Sequence, residues 1–417
     1  MSRNLIGRFF FGILGPMALG VLLASSANGQ TFHVLHAFTN LDDGGLPEAG
    51  LTLDARGNLY GTTLGTIAYD GVVFRMSNVN GSWVLNTLFT FTGTDGGLPS
   101  GRVVFGPHGF LYGTTNLFGG GTCQGYGCGV VFSLSVPASI CRSFSCQWNE
   151  RVIHDFLGTP DGESPYYVDP VFDPAGNLYG TTYEGGSHDG GSVFQLANTG
   201  GGWAETILYS FAGSDGQYPK SGVILDAAGN AYGTTSSGGT HGNGTVYKLA
   251  PSGGGWTLTT LYDFPSASND GSNPISPLLL DSLGNLYGTA SADGPAGFGT
   301  VFELSPSGGG WTYTVLYSFP ADGEPQGNLL MDSAGSLYGV GGGCGRYNDG
   351  CVWKLTPGGS GWSFTDLYDF TGRGDGFYPV GGPAFDSEGD LYGTTLYGGV
   401  QSPACPHGCG VVWEITP

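Results

Sequence analysis

Apolar residues along this chain come in short runs, separated by clusters of Gly, Pro, Asn and Asp, and beyond the first thirty residues none has helical spacing. The stretch from Leu208 to Trp256 shows the pattern. Leu208, Tyr209 and Phe211 precede Asp215-Gly216 and Pro219, and Val223 to Asp226 follow. Gly229 and Asn230 then lead into Tyr232-Gly233-Thr234, Gly244 to Leu249 carries Val246 and Tyr247, and Pro251-Ser252-Gly253 precedes Trp256. Runs rich in Val, Tyr, Phe, Trp and Thr and bounded by turn formers predict β-strands joined by tight turns, four strands to a unit.

The unit repeats. A Leu-Tyr-Gly-Thr segment, with Ala231 and Val340 as single departures, places its tyrosine at Tyr60, Tyr112, Tyr179, Tyr232, Tyr287, Tyr338 and Tyr392. The intervals are 52, 67, 53, 55, 51 and 54 residues, and the long one holds an insertion, Pro137 to Gln147. Four short strands in about fifty residues, seven times over, predict an all-β fold, a seven-bladed β-propeller of four-stranded blades. Phe32 to Phe38 resembles the strand that follows each tryptophan, whereas Val411 to Thr416 is followed by no such strand. The N-terminal strand is therefore expected to complete the seventh blade and hide two sheet edges. Residues 28–417 then form one domain.

The recurring Leu-Tyr-Gly-Thr-Thr, the Asp-x-x-Gly-Asn before it and the Gly-x-Val-Phe run resemble the GloVer tandem repeat over essentially all of the chain after residue 27. That resemblance implies an exported bacterial repeat protein, in a family whose members carry varied C-terminal anchors and have no defined biochemical role. The sequence ends at Pro417 with no hydrophobic tail, which favours a free form over a surface-attached one.

Composition agrees with a folded, exported chain. Of 417 residues 81 are glycine, 40% are apolar and only 11% are charged. The net charge of −21 argues against nucleic acid as a partner. Arg3 and Arg8, an apolar stretch from Phe9 to Ala24 and the small residues Ser25, Ser26 and Ala27 read as a signal peptide over 1–27. No later segment is apolar for long enough to span a membrane, and a secreted or periplasmic monomer is expected. The cysteines fall in four local couples, Cys123 with Cys128, Cys141 with Cys146, Cys344 with Cys351 and Cys405 with Cys409. They read as disulfides rather than zinc ligands, because their spacings differ and no histidine pair accompanies them.

Several recurring polar residues have a turn role available. Asp54, Asp173, Asp226, Asp281, Asp332 and Asp386 each sit just before a glycine, where an Asp side chain caps backbone N–H groups. The second copy has Gly106 there. Asp-Gly couples at Asp43, Asp95, Asp161, Asp215, Asp270, Asp322 and Asp375 also read as turns, with a ring of calcium sites as the alternative. No other cofactor is expected. Trp83, Trp148, Trp203, Trp256, Trp311 and Trp362 read as packing between blades, with sugar stacking as the alternative.

The loops after each Leu-Tyr-Gly-Thr vary most and share a face with the Asp-Gly loops. Residues that break the repeat there are the candidate binding set: Tyr69, Gln124, Tyr126, Glu184, His188, His241, Arg346, Tyr347 and His407. Gly-x-Ser-x-Gly, His-Glu-x-x-His and phosphate-loop motifs are absent. The expectation is a noncatalytic module binding a glycan, an envelope component or a protein, with a glycan hydrolase or lyase in the central funnel as the alternative. Peptide mapping of the unreduced, exported protein should recover four local disulfides, and free thiols would contradict this reading.

Overall fold

A computed structural model describes residues 30–65, 71–137, 147–200, 202–266, 269–320 and 323–417. They form seven four-stranded antiparallel sheets, each an up-and-down meander, arranged as the blades of a propeller. The first blade runs through Thr52–Leu53, Leu59–Thr63, Val72–Val79 and Ser82–Thr90. The seventh combines Ala384–Phe385, Leu391–Thr395 and Val411–Thr416 with Thr31–Ala37, which pairs from Thr31 opposite Thr416 to Ala37 opposite Val411. The chain thus closes the ring with its own first described strand. Among the described residues no helix is long and apolar enough to cross a membrane.

Each residue of the Leu-Tyr-Gly-Thr-Thr strand has a task. In the seventh blade, Leu391 enters the core, and the Tyr392 hydroxyl donates to Asp386 and Glu414. A side chain at Gly393 would stand 2.3 Å from the Trp413 ring, so only glycine lets that ring lie across the strand. The hydroxyl of Thr394 reaches Ala49 O of the next blade at 2.9 Å, and that of Thr395 accepts from Val411 N–H. The same first threonine hydroxyl, buried each time, bonds across to the following blade from Thr62, Thr114, Thr181 and Thr234. Beside it, the proline of each Asp-Gly loop packs on the glycine before the third strand of the preceding blade. Gly71 meets Pro99 in this way and Gly410 meets Pro47.

The core is correspondingly a ring of layers between blades. Tyr60, Val73, Leu88 and Phe91 of one blade, for example, pack with Val103, Leu111, Phe132 and Leu134 of the next. The tryptophans extend these layers. Trp83 meets Tyr392 edge-on at 5.9 Å, and Trp148, Trp203, Trp256, Trp311 and Trp362 meet Tyr60, Tyr112, Tyr179, Tyr232 and Tyr287 of the preceding blade in the same way. The aspartates before the glycines cap turns as expected. Asp54 accepts from the N–H groups of Arg56 and Asn58 and from the Asn58 amide and Tyr60 hydroxyl. At Gly106 a single 3-10 turn, Pro107–Gly109, takes its place.

Disulfides join Cys123 to Cys128, Cys344 to Cys351 and Cys405 to Cys409, and suit an oxidising compartment. Cys141 and Cys146 lie outside the described residues.

Blade six departs from the others. Its innermost strand is Pro325–Met331, seven residues, where the rest have two, and Val340 stands where the others carry a threonine. Deleting residues 30–37 would strand Val411–Thr416 as an open edge. The truncated chain is expected to form concentration-dependent oligomers in light scattering, and a monodisperse product with unchanged thermal unfolding would show that closure is dispensable.

Candidate functional site

The proline of each Asp-Gly loop, held against the preceding blade, is followed by Glu48, Ser100, Tyr166, Lys220, Ile275, Gln326 and Val380 in turn. Five of these positions, together with Tyr167, line a cavity of about 40 Å³ to which six blades contribute, on the ring's axis. Its throat is closed by backbone. A side chain at Gly381 would stand 2.3 Å from Gly50 N, and one at Gly382 2.2 Å from Asn328 O. Just beyond, Arg102 of the second blade donates from its backbone N–H and from Nε to Asp169 of the third, at 2.7 and 2.9 Å. Nη1 and Nη2 of the same arginine reach the Asn328 amide oxygen on the sixth blade at 2.9 and 2.7 Å. The funnel is therefore blind, with an ion pair as its plug.

Glu48 is the chemical centre of this funnel. It is 7% exposed, its Oε1 accepts from the Tyr167 hydroxyl, and its Oε2 is buried without a hydrogen-bond partner. Burial pushes its carboxyl up to about 7, against a smaller opposing effect of the Tyr167 hydrogen bond. Tyr166 donates to the Tyr167 hydroxyl at 3.2 Å, and burial together with the nearby Glu48 charge raises its own hydroxyl to about 12.

From Tyr166 an aromatic arc climbs to the rim. The Tyr166 ring lies 6.3 Å from that of Tyr183, which stacks on Tyr218 at 5.0 Å, with the Lys220 ammonium 5.7 Å from the Tyr183 centroid. Burial lowers the pKa of Lys220. On the far side, the Tyr378 hydroxyl receives the Gln326 amide and donates to Glu324, each at 3.2 Å. The Tyr378 ring faces that of Tyr397, which stacks on Phe377 at 5.2 Å. Half-buried tyrosines of this kind can stack on a ligand and hydrogen-bond to it at once.

Within the described residues, the sequence-derived candidates lie in the connections between the second and third strands. His407 lies 6.4 Å from the Tyr397 ring, and Glu184, next to Tyr183, raises the pKa of that tyrosine after burial does. The others are more dispersed. Tyr126 and Tyr347 are exposed, Arg346 sits over Tyr347, His188 is exposed, and His241 Nδ1 is 3.7 Å from Asp263. Gln124 falls in the 3-10 turn Cys123–Gly125, and Tyr69 lies outside the described residues. The funnel residues after each proline were not among the candidates, because their loops read as turns. The available signal was their chemistry, which changes at every copy between a constant proline and the innermost strand. The Asp-Gly carboxylates themselves are turn acceptors, as in Asp43 with Thr39 and Asp375 with Thr371, and Asp322 lies outside the described residues.

A family model described as the Gloeobacter/Verrucomicrobia repeat matches residues 126–340. The chain belongs to that repeat family. Among curated proteins no match to this member of the Gloeobacter/Verrucomicrobia repeat family is found. Its fold is similar to the extracellular domain of a one-component system from B. thetaiotaomicron, with TM-score 0.58 and 10% identity, covering 91% of this chain and 39% of that one. A protein from Thermus thermophilus assigned as an oxidoreductase (glucose dehydrogenase) has TM-score 0.47 and 16% identity, over 93% of this chain and 100% of that one. A protein from Bacteroides uniformis assigned as a 6-phosphogluconolactonase has TM-score 0.49 and 14% identity, over 76% and 82%. At such identities the likeness is one of fold alone.

The raised Glu48 pKa carries a stability cost of definite sign. Below pH 4.5 the carboxyl is protonated in both folded and unfolded chains, and between 4.5 and about 7 only the unfolded chain ionises, so stability falls across that window. Glu48→Gln should therefore leave stability unchanged at pH 4 and raise it by on the order of 3 kcal/mol at pH 8. Urea unfolding at the two pH values measures this.

Proposed function

We propose that this protein is an exported monomeric binding module that takes a glycan, free or as part of an envelope component, into the blind funnel of its loop-rich face. The observation that carries this reading is the tyrosine arc, in which Tyr218 and Tyr183, with Lys220 beside them, lead through Tyr166 to Tyr167 and its partner Glu48. Sugar rings present apolar C–H faces and a fringe of hydroxyls. Tyrosine faces accept the former and phenol, amide and carboxyl groups the latter, while the closed throat gives a chain end a place to stop. The disulfides and the leader-like residues 1–27 support export.

A second reading rests on one residue. A carboxyl shielded from water, with one oxygen free of partners and a pKa near neutrality, has the properties of a general acid, which favours a hydrolase or lyase acting in the same funnel. The two readings separate in one experiment. The protein without residues 1–27 is incubated with a panel of polysaccharides and envelope fractions, with calcium or with chelator, and both retention and released fragments are measured. Binding with no release, weakened at least tenfold by Tyr183→Ala with Tyr218→Ala, supports the module. Release that Glu48→Gln abolishes while binding persists establishes the enzyme, and binding indifferent to the tyrosine changes overturns the funnel as the site.

A further inference from the structure

Away from the funnel, one junction between blades combines two departures that occur singly elsewhere, a histidine beside the loop aspartate, as His36 is beside Asp43, and a glutamate at the place Glu150 takes in the second blade. Where the outermost strands of adjacent blades meet, register assigns equivalent positions across the ring. The residue just before the Asp-Gly loop is Tyr209, Tyr262, Tyr317 and Tyr368 in blades three to six. Three of these tyrosines donate to the loop aspartate, Tyr209 to Asp215, Tyr262 to Asp270 and Tyr368 to Asp375. The facing residue on the next blade is apolar or aromatic. Tyr313 stacks on Tyr262 at 4.0 Å, Phe364 on Tyr317 at 4.6 Å, Phe32 on Tyr368 at 3.7 Å, and Leu258 occupies this place opposite Tyr209.

Between the second and third blades both partners change. His154 replaces the tyrosine and Glu205 the apolar residue, while Asp161 remains the loop aspartate. His154 Nε2 lies 3.5 Å from Asp161 Oδ1 and 3.5 Å from Glu205 Oε1, and the three atoms all lie within 4.8 Å of one another. All three are shut off from water and none has a hydrogen-bond partner. The other oxygen of Asp161 is already taken by Leu157 N–H, and the His154 ring is braced edge-on by Phe156 at 4.6 Å. Two carboxylate oxygens and one imidazole nitrogen thus converge where, among the described residues, no N–H donor reaches them. The two 3.5 Å separations from the imidazole nitrogen match the edge of a tetrahedral site with bonds near 2.1 Å, about 3.4 Å.

We propose that His154, Asp161 and Glu205 bind one divalent cation of the zinc type, bridging the second and third blades. The nitrogen in the set separates this site from calcium, which takes oxygen ligands, and favours a borderline metal. Two carboxylates facing each other in a dry pocket repel, and the cation removes that repulsion while tying a residue of one blade to two of the next. Three protein ligands leave a fourth tetrahedral position, for a water that enters with the cation.

The test uses the chain without residues 1–27, stripped with chelator and titrated with Co2+, whose visible absorption reports coordination, and with Zn2+ in competition. One equivalent should bind, with a rise in the midpoint of thermal unfolding, and excess Ca2+ should not displace it. Glu205→Leu installs the residue that Leu258 already provides at the equivalent place, and His154→Tyr the residue found in four other blades. Both should fold, and each should weaken Co2+ binding at least a hundredfold. The proposal is overturned by the absence of one-equivalent uptake, by uptake that neither variant reduces more than threefold, or by displacement with equimolar Ca2+. If one variant does not fold, the other decides.

Discussion

A threonine hydroxyl buried at the boundary between two blades has to find an acceptor, and in this molecule the acceptor is a main-chain carbonyl of the next blade. At five of the seven seams that requirement, with the proline that packs on a glycine beside it at all seven, fixes how far a blade is rotated from its neighbour. It also fixes where the chain goes next. The accepting carbonyl lies in the short segment between the proline and the innermost strand, so the same bond that seals the seam delivers the residue after the proline to the axis. Packing and site geometry here share one cause.

Scaffold and chemistry are separated accordingly. The tyrosine, glycine and threonine of the repeated strand, the capping aspartate and the tryptophan that lies against the previous blade are spent on hydrogen bonds and ring packing, and they barely change around the ring. The residue after the proline contributes little to the seam and is free to be Glu48, Ser100, Tyr166, Lys220, Ile275, Gln326 or Val380. The third blade goes furthest. An extra residue places Tyr167 beside Tyr166, and Asp169 beyond it is what holds Arg102 across the throat. Local irregularity and chemical content coincide there, as expected where a repeat gives up uniformity for a site.

The architecture was legible in the sequence because it rests on local, repeated signals. Tyr232-Gly233-Thr234 between turn formers reads as a strand without any tertiary information, and the match of Phe32 to Phe38 with the strands after each tryptophan identified the closing partner. The site was not legible to the same degree. Glu48 follows a proline in a turn-like loop, and nothing in Leu46-Pro47-Glu48 tells that its carboxyl is enclosed by residues of five other blades. Tyr183 and Tyr218 sit 35 positions apart in the chain, and their stacking depends on the rotation between blades. Nothing local to His154 or Glu205 marks either one, and their approach to 3.5 Å depends on how the second and third blades pack. Residues far apart in sequence that meet across a seam leave no local trace.

The joining of Thr31–Ala37 to Val411–Thr416 has a consequence for how the molecule comes into being. Thr31 and Thr416 are 385 residues apart, while the other blades are each assembled from about fifty consecutive residues. Bringing such distant segments together costs roughly 5 kcal/mol in chain entropy by the logarithmic loop rule, a modest sum once the intervening blades have folded and shortened the path. Order of synthesis is the sterner condition. Thr31–Ala37 is made long before its partner, so at every intermediate stage of synthesis one sheet edge is unpaired and one strand is waiting. Ring closure therefore waits on Val411–Thr416, because only a chain made at least that far can hide both.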